Sequence, residues 1–469
     1  MDPFEELGIF WLPEDPDITR PGKLTFGHGR AGIDLTLLNP FEDTFPFMAT
    51  VGSHPGYPLI FGLLESGQPV TLTHAQVGGS TLSLGGFGVA KVQLRPQYIF
   101  RGAHLADGGD SKFTRFRVDF DHLDAWAFSG PPVTMTVENG NPVFTETEAA
   151  DDVECDAMGG RLKVEITTSH QSGMFKASIE RSAVIEFEPT EPADLHSLIS
   201  GVSVPLQYFL TFACGVPVHP VSFGVFADGI GHQAGESFIP TLIQVGYLGW
   251  RGSSDEPSPP MMRLPLASIR DRFEEITNAW HVLYGQQERS MVLLFAISLG
   301  LDLYLDTRFL FAVQAVELYH RQKWPRGMLT KEEHRKRVSA IANLVADKKL
   351  KSWLREKLAY SNEPTLRERL EKMIEHAGEE ASQPVRPQLA KVAADTRNYL
   401  THYNPRLKDK AAAGEDLWVL GQEVIAVLEL CLLRDLGFDG ERSLQLSAGT
   451  RVFQELFRRR SNASSGGNL

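Results

Sequence analysis

Between Thr396 and Pro405 the chain reads TRNYLTHYNP, which sets Arg397 and His402 four intervening residues apart just ahead of a proline. A guanidinium fork suits phosphate oxygens, and an imidazole that titrates near neutrality can give and take protons. Metal-free cleavage of RNA needs little more. The 2′-hydroxyl is the nucleophile, a base takes its proton, an acid protonates the leaving 5′-oxygen, and a cation offsets the charge that builds on phosphorus. The spacing is weak on its own, because 14 histidines among many arginines give roughly one chance match per spacing. Context must separate it from its rivals. Arg115, Arg117 and His122 lie in FTRFRVDFDHLD, an alternating strand whose Asp119, Asp121 and Asp124 would repel phosphate. Arg369 and His376 share a helix face but sit among Glu368, Glu371, Glu375, Glu379 and Glu380, as on a solvated, salt-bridged surface.

The element that must position the pair is a helix from about Gln388 to Tyr403. Pro387 suits its first turn, and Asn404-Pro405 ends it, because proline lacks an amide hydrogen and turns its predecessor away from helix. His402 then falls in the last turn, where the partial negative charge of the helix end favours imidazolium. Asn398 and His402 share a face, and Arg397 lies about 140° round from His402, within the swing of a long side chain. The plainer alternative is a C-terminal capping histidine with a surface arginine one turn earlier. One copy supplies one histidine, whereas the chemistry asks for an acid and a base. Two helix tips brought together by a two-fold axis would supply both.

The chain has 469 residues, of which 42% are hydrophobic and 22% charged, as in soluble globular proteins of two or three domains. Its net charge of −13 is unevenly spread. Residues 1–260 carry 14 Lys+Arg against 32 Asp+Glu, whereas 261–469 are net basic, so a polyanion should prefer the C-terminal half. Cys155, Cys214 and Cys431 fit neither a disulfide framework nor a zinc site, and the acidic start MDPFEELGIFWLPEDP is unlike a signal peptide. A cytoplasmic location is expected. The most apolar stretch, 202–226, is broken by Pro205, Pro217, His219 and Pro220, which points to buried strands and turns and to no membrane contact.

From Gly22 to about Gly252, short β-prone runs such as LKVEITTSH and SAVIEFEP alternate with turn residues. Helical periodicity then takes over, with Phe273, Ile276, Trp280, Leu283 and Tyr284 on one face and Phe309, Ala312, Val313, Val316 and Tyr319 on another. Further helices are expected near 286–299, 330–378, 388–403, 415–436 and 447–459. The fold class is therefore α+β and multidomain, an N-terminal antiparallel β-sandwich or barrel-like domain followed by an all-α bundle. Expected boundaries are 1–252 for the β-rich domain, 253–262 for a Ser/Pro-rich linker, 263–460 for the helices and 461–469 for a disordered tail. Trp280, Trp353 and Trp418 are expected in the core.

With Arg397, Asn398, Tyr399, Leu400, Thr401 and His402 in that order, the helical half resembles the HEPN domains, whose ribonuclease members carry arginine, a polar residue, and histidine after three or more further residues. Residues 308–322, RFLFAVQAVELYHRQ, are similar to the Glu-bearing helix of the ApeA-type branch, and residues 8–26, GIFWLPEDPDITRPGKLTF, to the opening of the ApeA N-terminal domain. The resemblance implies a bacterial phage-defence protein acting by abortive infection once triggered; in that reading the acidic N-terminal domain recognises a phage-derived trigger or restrains the nuclease until infection. It implies a homodimeric, metal-independent, cofactor-free endoribonuclease that leaves a 2′,3′-cyclic phosphate, with Arg397 and His402 catalytic and Asn398 their polar neighbour. Glu317 either holds Arg397 or points to solvent. Tyr403 either stacks on a base or packs at the helix end. The basic runs 334–337 and 347–357 either guide RNA or form solvated helix faces. A catalytically silent adaptor, with a helical dimerisation module and a ligand-binding β domain, is the alternative function. A metallohydrolase is disfavoured, because no HExxH or usual ligand spacing occurs.

Overall fold

The computed structural model describes the chain except for residues 28–31, 42–55, 83–89, 129, 131–132, 139–140, 148–150, 175–176, 248–256, 300–302 and 466–469. It separates into two compact units, one of residues 1–207 and 218–254, the other of 208–217 and 255–469. Residues 253–256 of the expected Ser/Pro-rich linker lie outside the described residues, and the rest holds a short 3-10 turn at Pro259–Met261.

The first unit contains a closed barrel. Strands β1 (Phe4–Leu12), β2 (Asp15–Phe26), β3 (Ile33–Leu38), β4 (Tyr57–Leu64), β5 (Pro69–Leu82) and β6 (Ala90–Arg95) pair antiparallel in the ring order β1-β2-β3-β6-β5-β4 and back to β1. Closure leaves these strands no free edge. Alternation along them turns Leu24, Ile33, Leu35, Leu37, Val70, Leu72, Val92 and Leu94 into one apolar core around Phe10. Gly62 is required there, because a Cβ would stand 2.5 Å from the Phe10 ring.

Along one edge β5 pairs first with β7 (Tyr98–Arg101), through Val70–Thr73, and then with β6. That handover extends the barrel wall into a second antiparallel sheet. Beyond β7 it contains β8 (Arg115–Phe120), the strands 153–157, 160–172, 177–189 and 220–226, and a last strand 243–247. The β-rich, barrel-containing first half is thus as the residue pattern indicates.

The stretch 202–226 departs from expectation. Residues Leu195–Cys214 are helical and only 220–226 form a strand. Pro205 directly follows the π-helical turn Ile199–Ser203, where the hydrogen-bond ladder is rearranged, so the proline did not exclude helix. The helix is long and apolar enough to cross a membrane, and 61% of its apolar window is buried inside the protein. Its last turns, 208–214, belong to the helical unit, although the sequence pattern assigned them to the β-rich half.

The second unit is helical. α1 (Phe273–Ser298) bends at Gln287, and α2 (Leu305–Lys323) packs against it. The expected 330–378 helix is three: α3 (Lys331–Asn343), α4 (Lys348–Leu358) and α5 (Leu366–Ala377). There follow α6 (Leu389–His402), α7 (Gly414–Asp435), α8 (Gly440–Ala448) and α9 (Arg451–Ser465). The tail expected from 461 is therefore helical through Ser465. α7 is apolar on nearly every side and forms the centre, packed by α2, α5, α6, α8 and α9. Trp280 is fully buried against Phe212 and Phe295, as expected. Trp418 is only half-buried, and Trp353 is 52% exposed on α4, because α4 packs chiefly on α3 and leaves its apolar stripe to solvent.

Candidate active site

α6 ends as its sequence requires. The amide of Tyr403, in the left-handed region at φ 48°, donates to the Tyr399 carbonyl at 2.7 Å, and Asn404 is extended ahead of Pro405. The helix is anchored from behind by Thr396, whose buried Oγ accepts the Ala412 amide at 3.0 Å ahead of α7. At its start Arg386 reaches Glu423 of α7, fixing the entry of the chain. The tip is thus held by backbone and side-chain bonds, not by its exposed residues.

Arg397 and Asn398 follow Thr396 on this tip, and Arg397 faces α2. Its Nη2 donates to Glu317 Oε1 at 2.6 Å, and its Nη1 donates to Asn398 Oδ1 at 3.0 Å. The pairing with Glu317 decides between the two options left open for that carboxylate. Both side chains are roughly a quarter exposed, so the pair is shielded yet reachable. A guanidinium has five N–H donors, and these two bonds leave the rest of the fork uncommitted among the described residues. Asn398 shares the face of His402, so its bond draws the cation towards that face. His402 is exposed and its ring has no hydrogen-bond partner among the described residues. Tyr403 is 75% exposed and its ring stacks on Tyr399 at 5.5 Å, so it caps the tip rather than packing into a core. Desolvation, and after it the neighbouring Tyr403, hold the Tyr399 hydroxyl above its ordinary range.

The rival clusters resolve differently. Arg115 and Arg117 are tied to Glu186 and Glu165 across the sheet, and burial, then Asp124, push Asp119 up to about 6. Arg369 corrects the expectation of a solvated face. It is buried, and donates to the Pro364 carbonyl at 3.0 Å and to His320 Nδ1 at 3.2 Å, with Glu363 at 3.5 Å. His376 likewise turns inward, 3.1 Å from Asp435 Oδ1. Asp435 also accepts from Tyr319 at 2.7 Å and Lys323 at 2.6 Å. Burial alone would raise its pKa, but the bonds from His376, Lys323 and Tyr319 hold it below the ordinary value.

Arg369, His320 and Asp435 were not singled out as site residues by spacing. His320 offered a signal, since it stands one turn after Glu317 on the same helix and therefore near the same face. Burial, then the charges of Arg369 and Lys372, lower His320 to about 4, which keeps the ring neutral at physiological pH. Arg369 in turn lies within electrostatic reach of both Glu317 and Arg397. The basic runs 334–337 and 347–357 lie on exposed faces of α3 and α4. Among the described residues no three His, Cys, Asp or Glu side chains are grouped to hold a metal ion.

Residues 5–280, more than half of the chain, match the family model described as ApeA N-terminal domain 1, and residues 310–442 match Apea-like HEPN. The second match contains Glu317, His320, Arg369, Arg397, Asn398, His402 and Asp435. No curated protein and no solved structure matches the chain. Two adjoining matches in that order show that the chain belongs to the ApeA-type HEPN family, a nuclease-like architecture with a general role in phage defence.

Proposed function

We propose that this protein is a metal-independent endoribonuclease of abortive infection, whose site is completed when two copies bring their α6 tips together. In each copy Glu317 and Asn398 hold the Arg397 guanidinium, and the uncommitted part of its fork meets the scissile phosphate. One His402 takes the proton of the 2′-hydroxyl, whose oxygen attacks phosphorus. The other His402 donates a proton to the departing 5′-oxygen, leaving a 2′,3′-cyclic phosphate and a 5′-hydroxyl. Proton count and charge balance over the step, and the two imidazoles exchange roles in the next turnover. Arg397 offsets the extra negative charge at the pentacoordinate stage. The remaining protein need only hold the tips and admit RNA.

The observation that carries this reading is the Arg397–Glu317 pair. The Glu317 carboxylate of α2 fixes a cation on the same helix tip as an exposed histidine whose ring has no hydrogen-bond partner among the described residues, which is how a positioning residue serves an electrostatic catalyst. The β-rich unit is the proposed sensor of a phage-derived protein. Its acidity disfavours RNA binding there and leaves the polyanion to the helical half.

Expression in bacteria under phage challenge tests the whole. Protection should vanish in Arg397→Ala and in His402→Ala while both proteins remain folded, and Arg397→Lys should retain a fraction, since lysine keeps charge but lacks the fork. Undiminished protection in both alanine variants would favour the silent adaptor.

A further inference from the structure

The last turn of α2, the loop after it and the first turns of α5 line an open cavity of about 620 Å³. Six of its residues set its chemistry: His320, Lys323, Trp324, Arg326, Glu368 and Lys372. His320 is only 2% exposed. Its Nδ1 accepts a hydrogen bond from Arg369 Nη1, so the neutral ring carries its hydrogen on Nε2. No partner meets that N–H among the described residues, and the ring lines the cavity, which makes it a donor offered to whatever enters. That N–H is absent from the sealed, unsatisfied polar groups, so it is open to the cavity, and an occupant with an acceptor would take the place of water there.

The walls add charge and an aromatic surface. Trp324 forms one side, with the Lys372 ammonium 5.3 Å from its ring centroid. Arg326 and Lys372 are exposed, and no carboxylate pairs with them among the described residues. Lys323 is held by Asp435. The one acidic member, Glu368, spends an oxygen on the Thr365 cap. A flat ring with an acceptor, joined to a phosphate, answers all these features at once.

We propose that this cavity binds one nucleotide of the RNA strand, its base against Trp324 and accepting from His320 Nε2–H, its phosphate met by Lys372 and Arg326. The inference rests on the ribonuclease reading and extends it. Arg369 links the two places, bonded to His320 of the cavity and within electrostatic reach of Glu317 and Arg397. A strand gripped here passes on to the Arg397 site. A free mononucleotide carries the same chemistry, so the test must separate the two.

Binding is measured with the full-length His402→Ala protein, which keeps the cavity intact without turnover, by anisotropy of a fluorescent single-stranded RNA over a range of salt. Arg326→Ala with Lys372→Ala, both at exposed positions, should weaken binding about tenfold and flatten the salt slope by about 0.7 for each phosphate no longer neutralised. Trp324→Leu should weaken it about tenfold with the slope kept. AMP should compete with the RNA, and inorganic phosphate much less. Unchanged affinity and slope in the double variant would overturn the proposal, as would equal competition by AMP and phosphate. Failure of the double variant to bind AMP while its RNA affinity stays intact would overturn it in favour of a free nucleotide. A wild type that cleaves no RNA, with these binding effects present, would sink the ribonuclease reading and leave the cavity assignment standing.

Discussion

At the scale of single residues, the candidate site is a cation held from two sides. Glu317 supplies charge and Asn398 a neutral acceptor, so removing the charge while keeping the shape should loosen the guanidinium without emptying its place. Glu317→Gln should lower kcat for RNA cleavage about tenfold, the value of one charge-assisted hydrogen bond, with little change in thermal stability for a quarter-exposed pair. Steady-state kinetics beside a melting curve would check this, and an unaltered kcat would remove Glu317 from the mechanism. Arg397, Asn398 and His402 were legible because a proline-stopped helix gives them a register. Glu317 was legible as a carboxylate that could hold Arg397 or face solvent, but which of the two was not. Sequence periodicity says which face a residue occupies, but not which helix lies opposite. Arg369 was misjudged for the same reason: the glutamates that follow it in sequence point elsewhere, and its contacts are His320, the Pro364 carbonyl and Glu363.

Elements explain the remaining misjudgements. The helix expected near 330–378 breaks where Asp347 and Thr365 start new helices, Asp347 accepting the Leu350 amide and Thr365 sharing a reciprocal bond with Glu368, as Thr330 does with Glu333 at the start of the stretch. That Thr-x-x-Glu pattern is a start signal readable in the residues themselves. Contact between α2 and α5 has a titratable consequence. His320 falls from an ordinary 6.5 to about 4 when folded, chiefly through burial. A depressed histidine is fully stabilising above its unfolded value. As pH falls from 6.5 towards 4, the unfolded chain takes up a proton that the folded one refuses, and stability declines by about 3 kcal/mol. Asp435, also depressed, acts in a separate window, since its contribution is lost only as pH falls below the ordinary carboxylate value of 3.8. Urea midpoints between pH 7 and 4.5 should therefore drop in the wild type and much less in His320→Gln. Equal slopes would place the proton uptake elsewhere.

Over the whole molecule, the division into an acidic, barrel-containing half and a basic helical half was readable from composition, but its chain boundary was not. Residues 208–217 complete the helical core: Phe212 stacks on Trp280, and its carbonyl accepts from the buried Arg263 at 2.6 Å. No pattern within ten residues can announce that a helix ends in a neighbouring core. Phe212→Ala should destabilise the helical unit by about 3–5 kcal/mol, read as an early unfolding transition in calorimetry, whereas no shift would mean that Trp280 repacks. The central claim concerns what two joined helix tips do to RNA, and its most direct test is the chemistry of the cut ends. Purified wild-type protein in chelator should yield fragments ending in 2′,3′-cyclic phosphate with 5′-hydroxyl partners, and His402→Ala should yield none. Fragments with 3′-hydroxyl ends, or cyclic ends produced equally by the His402→Ala protein, would contradict it.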